Sequence, residues 1–204
     1  MQVVKAINRV LLRRVVCLTD PDAVIWGFSA LGFPNCGGAI GGMHIPICAP
    51  EHQAFQYINH KGYFSFLLQA VCDHRGQFTD INVGWSGKAH DARVFRNSSV
   101  CQRLQAGTFF PDRHIRVGDV DMPVCLVGDA ASTLQPWLMK PYMGHLNPSQ
   151  QAFNARLTQA RIVVEGAFRR LKARFRCRLT CLDLAEHNIP PVVAACCVLC
   201  NLCE

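Results

Sequence analysis

The chain has 204 residues and a formal net charge of +7 at pH 7. This length predicts one domain with a sizeable core, and an apolar fraction of 50% with only 17% charged residues excludes a disordered chain. No apolar run approaches the roughly 20 residues that a membrane-spanning helix requires, and the N-terminus lacks the uncharged core of a signal peptide. We therefore expect a globular chain and no membrane partner.

The twelve cysteines and the basic residues indicate the compartment of the protein and the class of its partners. In a small secreted chain this many cysteines would indicate a disulfide scaffold, but most of them lie inside apolar segments here. That placement favours free thiols in a reducing compartment, the cytosol or the nucleus. Basic residues concentrate between Arg9 and Arg14 and between Arg156 and Arg178, which favours polyanions such as nucleic acid as partners.

Residues 1–32 are expected to form a truncated N-terminal segment that is helical. An amphipathic helix is predicted to about Arg14, and a second short helix after Asp20. Asp20 is a suitable N-cap because its side chain can accept a backbone N–H bond, and Pro21 suits the first helical position. Residues 33–204 are expected to form a single further domain.

The predicted strands are short apolar runs bounded by turn residues. They lie at residues 39–47, 63–72 and 78–85, in the run before Asp129, and at residues 137–142. Residues 73–76 are predicted to form a hairpin turn, residues 107–122 a surface loop, and residues 177–184 an extended segment. The predicted helices lie from Asp91 to about residue 104, from about residue 147 to Phe175, and at residues 190–203. This order predicts an α/β fold.

These elements place two carboxylates, Asp129 at the end of a buried strand and Glu165 on the long helix. In open α/β sheets, ligands bind at the carboxyl ends of the strands. Glu165 lies beside the apolar stripe of the helix, with Arg161 and Lys172 on the same flank, so packing on the sheet would direct it along the sheet surface. The stripe consists of Leu157, Ala160, Val164, Phe168, Leu171 and Phe175. The two carboxylates are therefore predicted to meet and to suit a divalent metal site in phosphoryl transfer. The alternative is that Asp129 starts a turn and Glu165 pairs with Arg161 or Arg169 on a solvated face.

Five blocks of the sequence resemble a known family. They read GGAIGGMHIPI, GYFSFLLQAVCDHRGQFTDINVGWSGKAHDARVFRNS, LVGDAASTLQPWLMKPY, ARIVVEGAFRRLKARF and AACCVLCNLCE. From Phe33 onward the chain resembles the PIF/Harbinger transposase family and its domesticated, transposase-derived nucleases. The resemblance implies an RNase H-like mixed β-sheet flanked by helices, a DDE triad of catalytic carboxylates that includes Asp129 and Glu165, and a divalent metal cofactor, Mg²⁺ or Mn²⁺.

The same resemblance implies partners and a location. The substrate would be DNA, whose phosphodiester bonds the family hydrolyses, and the compartment would be the nucleus, with the cytoplasm as a further option. Members of the family resemble two-part systems in which a Myb-like partner protein recognises the DNA. No helix-turn-helix is recognisable before Phe33, so such a partner is expected. Oligomer formation is left open.

The first catalytic Asp of the family has no counterpart in this chain. In the family this Asp is followed by Gly, a hydroxyl residue and His. The matching residues here are Gly41, Gly42, Met43 and His44. Glycine has no side chain to bind a metal, so Asp129 and Glu165 would hold an ion from one side only. His44 is a candidate nitrogen ligand, but Mg²⁺ prefers oxygen, and a structural role is the alternative.

Asp91 and a group of cations complete the candidate site. Asp91 matches the His-Asp pair of the family and is expected either to cap the helix that it begins or to be a further metal ligand. The basic residues beside Glu165 would meet a phosphate backbone that approaches the carboxylates, with a solvated helix face as the alternative. They are Arg161, Arg169, Arg170, Lys172 and Arg174.

The C-terminal cysteines permit a second metal hypothesis. Cys197, Cys200 and Cys203 have spacings found in zinc sites, and Cys177 and Cys181 precede them. All three lie in an apolar helical pattern, so a core helix is the favoured interpretation.

Two functions follow from these patterns. The first is a nuclease that hydrolyses DNA with a divalent metal and is impaired by Gly41. The alternative is a catalytically inactive domesticated domain that binds DNA or protein.

Overall fold

A five-stranded mixed sheet lies at the centre of the chain, in the strand order β3-β2-β1-β6-β7. The computed structural model describes residues 1–132, 134–175 and 181–204. The strands are β1 (Cys36–Pro46), β2 (Ser65–Cys72), β3 (Phe78–Ser86), β4 (His114–Val117), β5 (Val120–Pro123), β6 (Cys125–Val127) and β7 (Leu138–Met139). The helices are α1 (Gln2–Val15), α2 (Pro21–Ala30), α3 (Asp91–Arg96), α4 (Ser99–Gln105), α5 (Pro148–Phe175) and α6 (Ile189–Leu202), and short 3₁₀ turns lie at Ala54–Gln56 and Glu186–Asn188.

Strand direction divides the sheet into two halves. β1, β2 and β3 pair in antiparallel fashion, whereas β6 pairs in parallel with β1 and β7 in parallel with β6. The predicted turn between β2 and β3 is confirmed, because Asp73 Oδ1 accepts hydrogen bonds from the backbone N–H groups of Arg75 and Gln77. This strand order and the flanking helices confirm the predicted α/β class and are consistent with the RNase H-like fold.

Two cores cover the faces of the sheet, because side chains alternate along each strand. On β1, Ala39, Met43 and Ile45 pack in the core that contains α2, α5 and α6, whereas Ile40 packs in the core of α3 and α4. Both faces of the central strands are therefore covered. None of the described helices is long and apolar enough to cross a membrane.

The long helix α5 forms where its apolar stripe was predicted. Asn147 Oδ1 accepts from the backbone N–H of Gln150, and Gln150 Oε1 accepts from that of Asn147, so the first turn is capped reciprocally. The buried side chains are Leu157, Ala160, Val164, Ala167, Phe168 and Leu171. Phe175 is only half-buried. This burial fixes which side of α5 faces β1.

Two predicted segments differ from the structure. The helix expected to continue to residue 104 is divided into α3 and α4, because Ser98 Oγ accepts from the backbone N–H of Cys101 and donates to the carbonyl of Phe95. The surface loop expected at residues 107–122 contains the β4–β5 hairpin, whose turn includes Gly118 at φ 62°. Because β4 and β5 are short and only partly buried, apolar and polar residues alternate only weakly along them. The sequence therefore did not predict the hairpin.

The two ends of the chain pack together. The predicted N-cap of α2 is confirmed, because Asp20 Oδ1 accepts from the backbone N–H of Ala23 at 3.0 Å. α1 packs on α6, which is the predicted core helix and buries Cys197 and Cys200. The extended segment predicted at residues 177–184 lies partly outside the described residues, as does Cys177 of the zinc hypothesis. Within the described part, Leu182 pairs with Ile47 in parallel.

Candidate active site

A cleft opens beside β1, beyond the end of β6. The parallel pairing of β1 with β6 ends at Ala39 and Val127, while β1 continues to Pro46. A cavity of about 710 Å³ lies there. Its lining includes Gly42, His44, His60, Lys61, Asp91, Glu165, Arg169 and Lys172. Carboxylates and cations thus share one cleft.

Asp129 lies two residues beyond β6 and is partly buried. Its Oδ1 accepts hydrogen bonds from both the backbone N–H and the Oγ of Ser132, each at 3.0 Å. These bonds close a turn after the strand, as the alternative interpretation of Asp129 expected. They occupy one carboxylate oxygen and orient the group beside β1.

Asp91 is the first residue of α3 and the neighbour of Asp129. Burial raises the pKa of Asp91, and the Asp129 charge raises it further. Asp91 lines the large cavity with Glu165 and a second, small cavity with Asp129. The expectation that Asp91 caps the helix is wrong, because His90 occupies the N-cap position and makes no side-chain cap bond.

Glu165 projects from α5 with 57% of its side chain exposed. Its Oε1 accepts from Nη2 of Arg161 at 3.2 Å, one turn earlier on the helix. It contributes to the large cavity but not to the small one that contains Asp129. Asp91 therefore shares a cavity with each of the other two carboxylates.

The described residues do not fit a metal site built from three protein ligands. Among them there is no group of three or more His, Cys, Asp or Glu side chains that could hold an ion. Asp91 and Asp129 interact, but Glu165 is turned toward Arg161. The roles of Asp91, Asp129 and Glu165 as metal ligands, and of the last two as catalytic residues, stay predictions.

The two adjacent glycines of β1 face opposite sides. A Cβ at Gly41 would lie 3.3 Å from Val164 Cγ1 and from Phe168 Cε2, on the α5 side. A Cβ at Gly42 would lie 2.8 Å from Asp91 Oδ2. The position that matches the first catalytic Asp is thus next to the turn of α5 that carries Glu165, and it contributes no side chain.

His44 lines the cleft and contacts Ser65 and His60. Its Nδ1 lies 3.0 Å from Ser65 Oγ, and its ring centroid is 5.6 Å from that of His60. Burial lowers the pKa of His44, and the charges of His60, Lys61 and Lys172 lower it further, so the ring is neutral at physiological pH. His60 and Lys61 were missed in the sequence because they lie in a loop without periodicity, although the basic pair before Gly62 was a visible signal.

The predicted phosphate-binding cations separate into two groups. Arg169 and Lys172 line the cavity, and Arg161 binds Glu165 beside it. Arg170 Nη2 donates to the carbonyl of Gly76 at 2.8 Å, and Arg174 Nη1 donates to the carbonyl of Cys200 at 3.2 Å. Both of these arginines also pair with Glu204 at the end of the chain. Their geometry gives them an intramolecular role, and phosphate binding by any of the five stays a prediction.

Comparison with known proteins gives one family and several relatives. A family model described as DDE superfamily endonuclease matches residues 40–201. The chain is 29% identical to the protein named "Putative nuclease HARBI1" of Homo sapiens, over 86% of the chain and 48% of that protein, and the Bos taurus protein of the same name gives the same values. It is 30% identical to "Protein ALP1-like" of Arabidopsis thaliana, over 84% of the chain and 43% of that protein.

The chain spans about half the length of the curated relatives it matches. No solved structure gives a significant match. The residues matched by the family model run from the middle of β1 to the end of α6, so they include Gly41, Asp91, Asp129 and Glu165. The chain therefore belongs to the DDE superfamily endonuclease family.

Proposed function

We propose that the chain is a DNA-binding domain with the DDE endonuclease fold in which hydrolysis of DNA phosphodiesters is strongly reduced or lost. The observation that carries the proposal is Gly41, which stands where the family has its first catalytic carboxylate. Endonucleases of this superfamily typically use divalent metal ions. With no side chain at residue 41, the cleft lacks one of the three carboxylates that the family resemblance implies for that chemistry.

The cations of the cleft support retention of DNA binding. Lys61, Arg169 and Lys172 line the same cavity as Asp91 and Glu165, so a phosphate that enters is near positive charge. The formal charge of the whole chain is +7, which favours a polyanion over a neutral ligand. Sequence-independent contacts to phosphate would give binding that weakens steeply with salt.

One observation favours a second candidate, a metal-dependent nuclease in which Asp91 replaces the missing Asp. The Asp129 charge raises the pKa of Asp91, so the two carboxylates are close enough to repel. A divalent cation between them would relieve this repulsion. This candidate predicts that DNA cleavage by the unmodified chain depends on Asp91.

Plasmid nicking in Mn²⁺ separates the two candidates. The unmodified chain is expected to nick no faster than buffer, and Gly41→Asp is expected to raise the rate, since it supplies the absent carboxylate. Gly41→Ala is the matched control, because its Cβ makes the same 3.3 Å contacts with Val164 and Phe168 and adds no ligand. DNA binding, measured by fluorescence anisotropy, should be similar for all three proteins.

Three outcomes would overturn parts of this proposal. Nicking by the unmodified chain that Asp91→Asn abolishes would establish the second candidate. Equal rates for Gly41→Asp and Gly41→Ala would show that the missing carboxylate is not what limits cleavage. Failure to bind DNA at low salt by a protein with a normal circular dichroism spectrum would remove the DNA-binding function.

The proposal extends to location and partners as the family resemblance implied them. We place the protein in the nucleus, where a Myb-like protein would supply sequence recognition. Imaging of the tagged chain, and co-purification of DNA-binding proteins with it from nuclear extract, would test both points. Uniform exclusion from nuclei would contradict them.

A further inference from the structure

Two exposed cysteines that are far apart in sequence flank one short strand pairing on the surface. Cys48 is two residues beyond the end of β1, and Cys181 precedes the 3₁₀ turn that leads into α6. Both are exposed and free. They are brought together by a short parallel pairing in which Ile47 is the partner of Leu182.

The pairing is held by two backbone hydrogen bonds. Leu182 N–H donates to the carbonyl of Pro46 at 3.1 Å, and Cys48 N–H donates to the carbonyl of Leu182 at 3.2 Å. Because neighbouring side chains in an extended segment point to opposite sides, Cys48 and Cys181 both lie on the side away from Ile47. Ile47 is 3% exposed and belongs to the core, so the two thiols lie on the solvent-facing side of the pairing.

We propose that Cys48 and Cys181 form a disulfide by exchange with a low-molecular-weight disulfide, and that this pair is a redox modification site. The backbone bonds hold the two segments at neighbouring-strand distance, and the two thiols lie on the same side of the pairing, diagonally across the Ile47–Leu182 pair, so that a small movement of the exposed segments would bring the sulfurs to bonding distance. The site is independent of the catalytic cleft and of the proposed DNA binding.

The exchange is balanced with oxidised glutathione as the oxidant. One protein thiol loses its proton, and the thiolate attacks a sulfur of glutathione disulfide to form a mixed disulfide and release one glutathione thiolate, which takes up a proton. The second protein thiol then deprotonates, attacks the protein sulfur of the mixed disulfide and releases the second glutathione. Two protein thiols are oxidised, and one glutathione disulfide is reduced to two glutathione molecules.

The disulfide would covalently link the segment before α6 to the segment that follows β1. Desolvation, the Asp183 charge and the Cys181 thiol raise the pKa of the Cys48 thiol, in that order, so exchange is favoured by mildly alkaline conditions, where more of the reactive thiolate is present. A crosslink between positions far apart in sequence restricts the unfolded chain, so the oxidised protein should unfold at a higher temperature than the reduced one.

The folded, reduced protein is treated with oxidised glutathione at mildly alkaline pH, alkylated, and digested with trypsin and Glu-C. Cleavage after Glu186 separates Cys181 from the cysteines of α6, and cleavage after Arg178 separates it from Cys177. Tandem mass spectrometry should identify a peptide linked through Cys48 and Cys181. Cys48→Ser and Cys181→Ser should each lose this link and keep one glutathione adduct on the remaining cysteine of the pair.

Cys203→Ser is the matched control, because Cys203 is also exposed but lies at the end of α6; the link should persist in it. Glutathione adducts on both Cys48 and Cys181 of the unmodified chain, with no link between them, would overturn the proposal. A link from Cys48 to Cys177 instead of Cys181 would overturn the assignment equally. An unchanged melting temperature in the linked protein would show that the crosslink does not restrain the fold.

Discussion

At the scale of single residues, Asp80 on β3 shows how burial changes a charge. Burial raises the pKa of its carboxyl group from 3.8 to about 6, and the charge of Arg103 lowers it by less. The folded state therefore binds the proton more tightly than the unfolded state. Stability from this group is complete below pH 3.8 and is lost as pH rises through about 6.

The change Asp80→Asn tests this linkage. A shift of about two pKa units corresponds to about 3 kcal/mol, and partial solvent exposure reduces this, so we expect Asp80→Asn to raise the free energy of unfolding near pH 8 by about 1 to 3 kcal/mol. Near pH 4 the gain should fall toward zero, because Asp80 is then largely neutral. Urea unfolding at both pH values measures the difference.

Asp119→Asn is the control for Asp80→Asn, since Asp119 is exposed in the β4–β5 turn. Its effect should be small at both pH values. A gain from Asp80→Asn that is equally large near pH 4 would show that charge burial is not its cause.

At the scale of elements, Asn201 joins three parts of the fold. It is 8% exposed near the end of α6. Its Oδ1 accepts from Phe78 N–H at 2.8 Å, and its Nδ2 donates to the carbonyls of Phe78 at 2.8 Å and Val15 at 3.0 Å. One side chain thus links α6 to the start of β3 and to the end of α1.

We expect Asn201→Ala to lower the free energy of unfolding by about 2 to 4 kcal/mol, because buried backbone groups of Phe78 lose their partner. Denaturant titration followed by circular dichroism measures the change. Asn97→Ala is the matched change, because it removes an exposed hydrogen bond from the Asn97 side-chain amide, at the end of α3, to the Arg93 carbonyl. It should lower the free energy of unfolding by less than about 1 kcal/mol. Similar losses for the two variants would contradict the bridging role of Asn201.

At the scale of the whole molecule, the net positive charge should govern DNA binding. Individual arginines, however, contribute either to DNA binding or to the stability of the fold. Arg169 is exposed at the cleft, whereas Arg170 donates a hydrogen bond to the β2–β3 turn and forms an ion pair with Glu204. On the proposed function, Arg169→Ala should reduce the slope of log K against log salt by about 1 and leave the melting temperature unchanged. Anisotropy of a labelled duplex over a series of salt concentrations measures this slope.

Arg170→Ala should have the opposite profile, with a lower melting temperature and a nearly unchanged salt slope. The two changes remove the same charge from neighbouring positions of α5, so each serves as the control for the other. Equal slopes and equal melting temperatures would show that the contacts of Arg170 do not distinguish it from Arg169.

The sequence alone determined the order of the central strands and of the long helix, the buried run before Asp129, the apolar stripe of α5 and the family. These features depend on local periodicity and on motifs, which are complete within short windows of the chain. It also predicted a departure from the family pattern at Gly41. It did not reveal the β4–β5 hairpin or the division between α3 and α4, because four-residue strands and a single capping serine give little local signal.

Only the tertiary structure decided which side chains meet. Gly41 and Gly42 are adjacent in sequence, yet a side chain at one would face α5 and at the other Asp91. Asp91 shares cavities with both Asp129 and Glu165, and the pairing of Ile47 with Leu182 brings the segments of Cys48 and Cys181 together. The physical reason is that side-chain direction and strand register are set by long-range packing, which no local pattern contains.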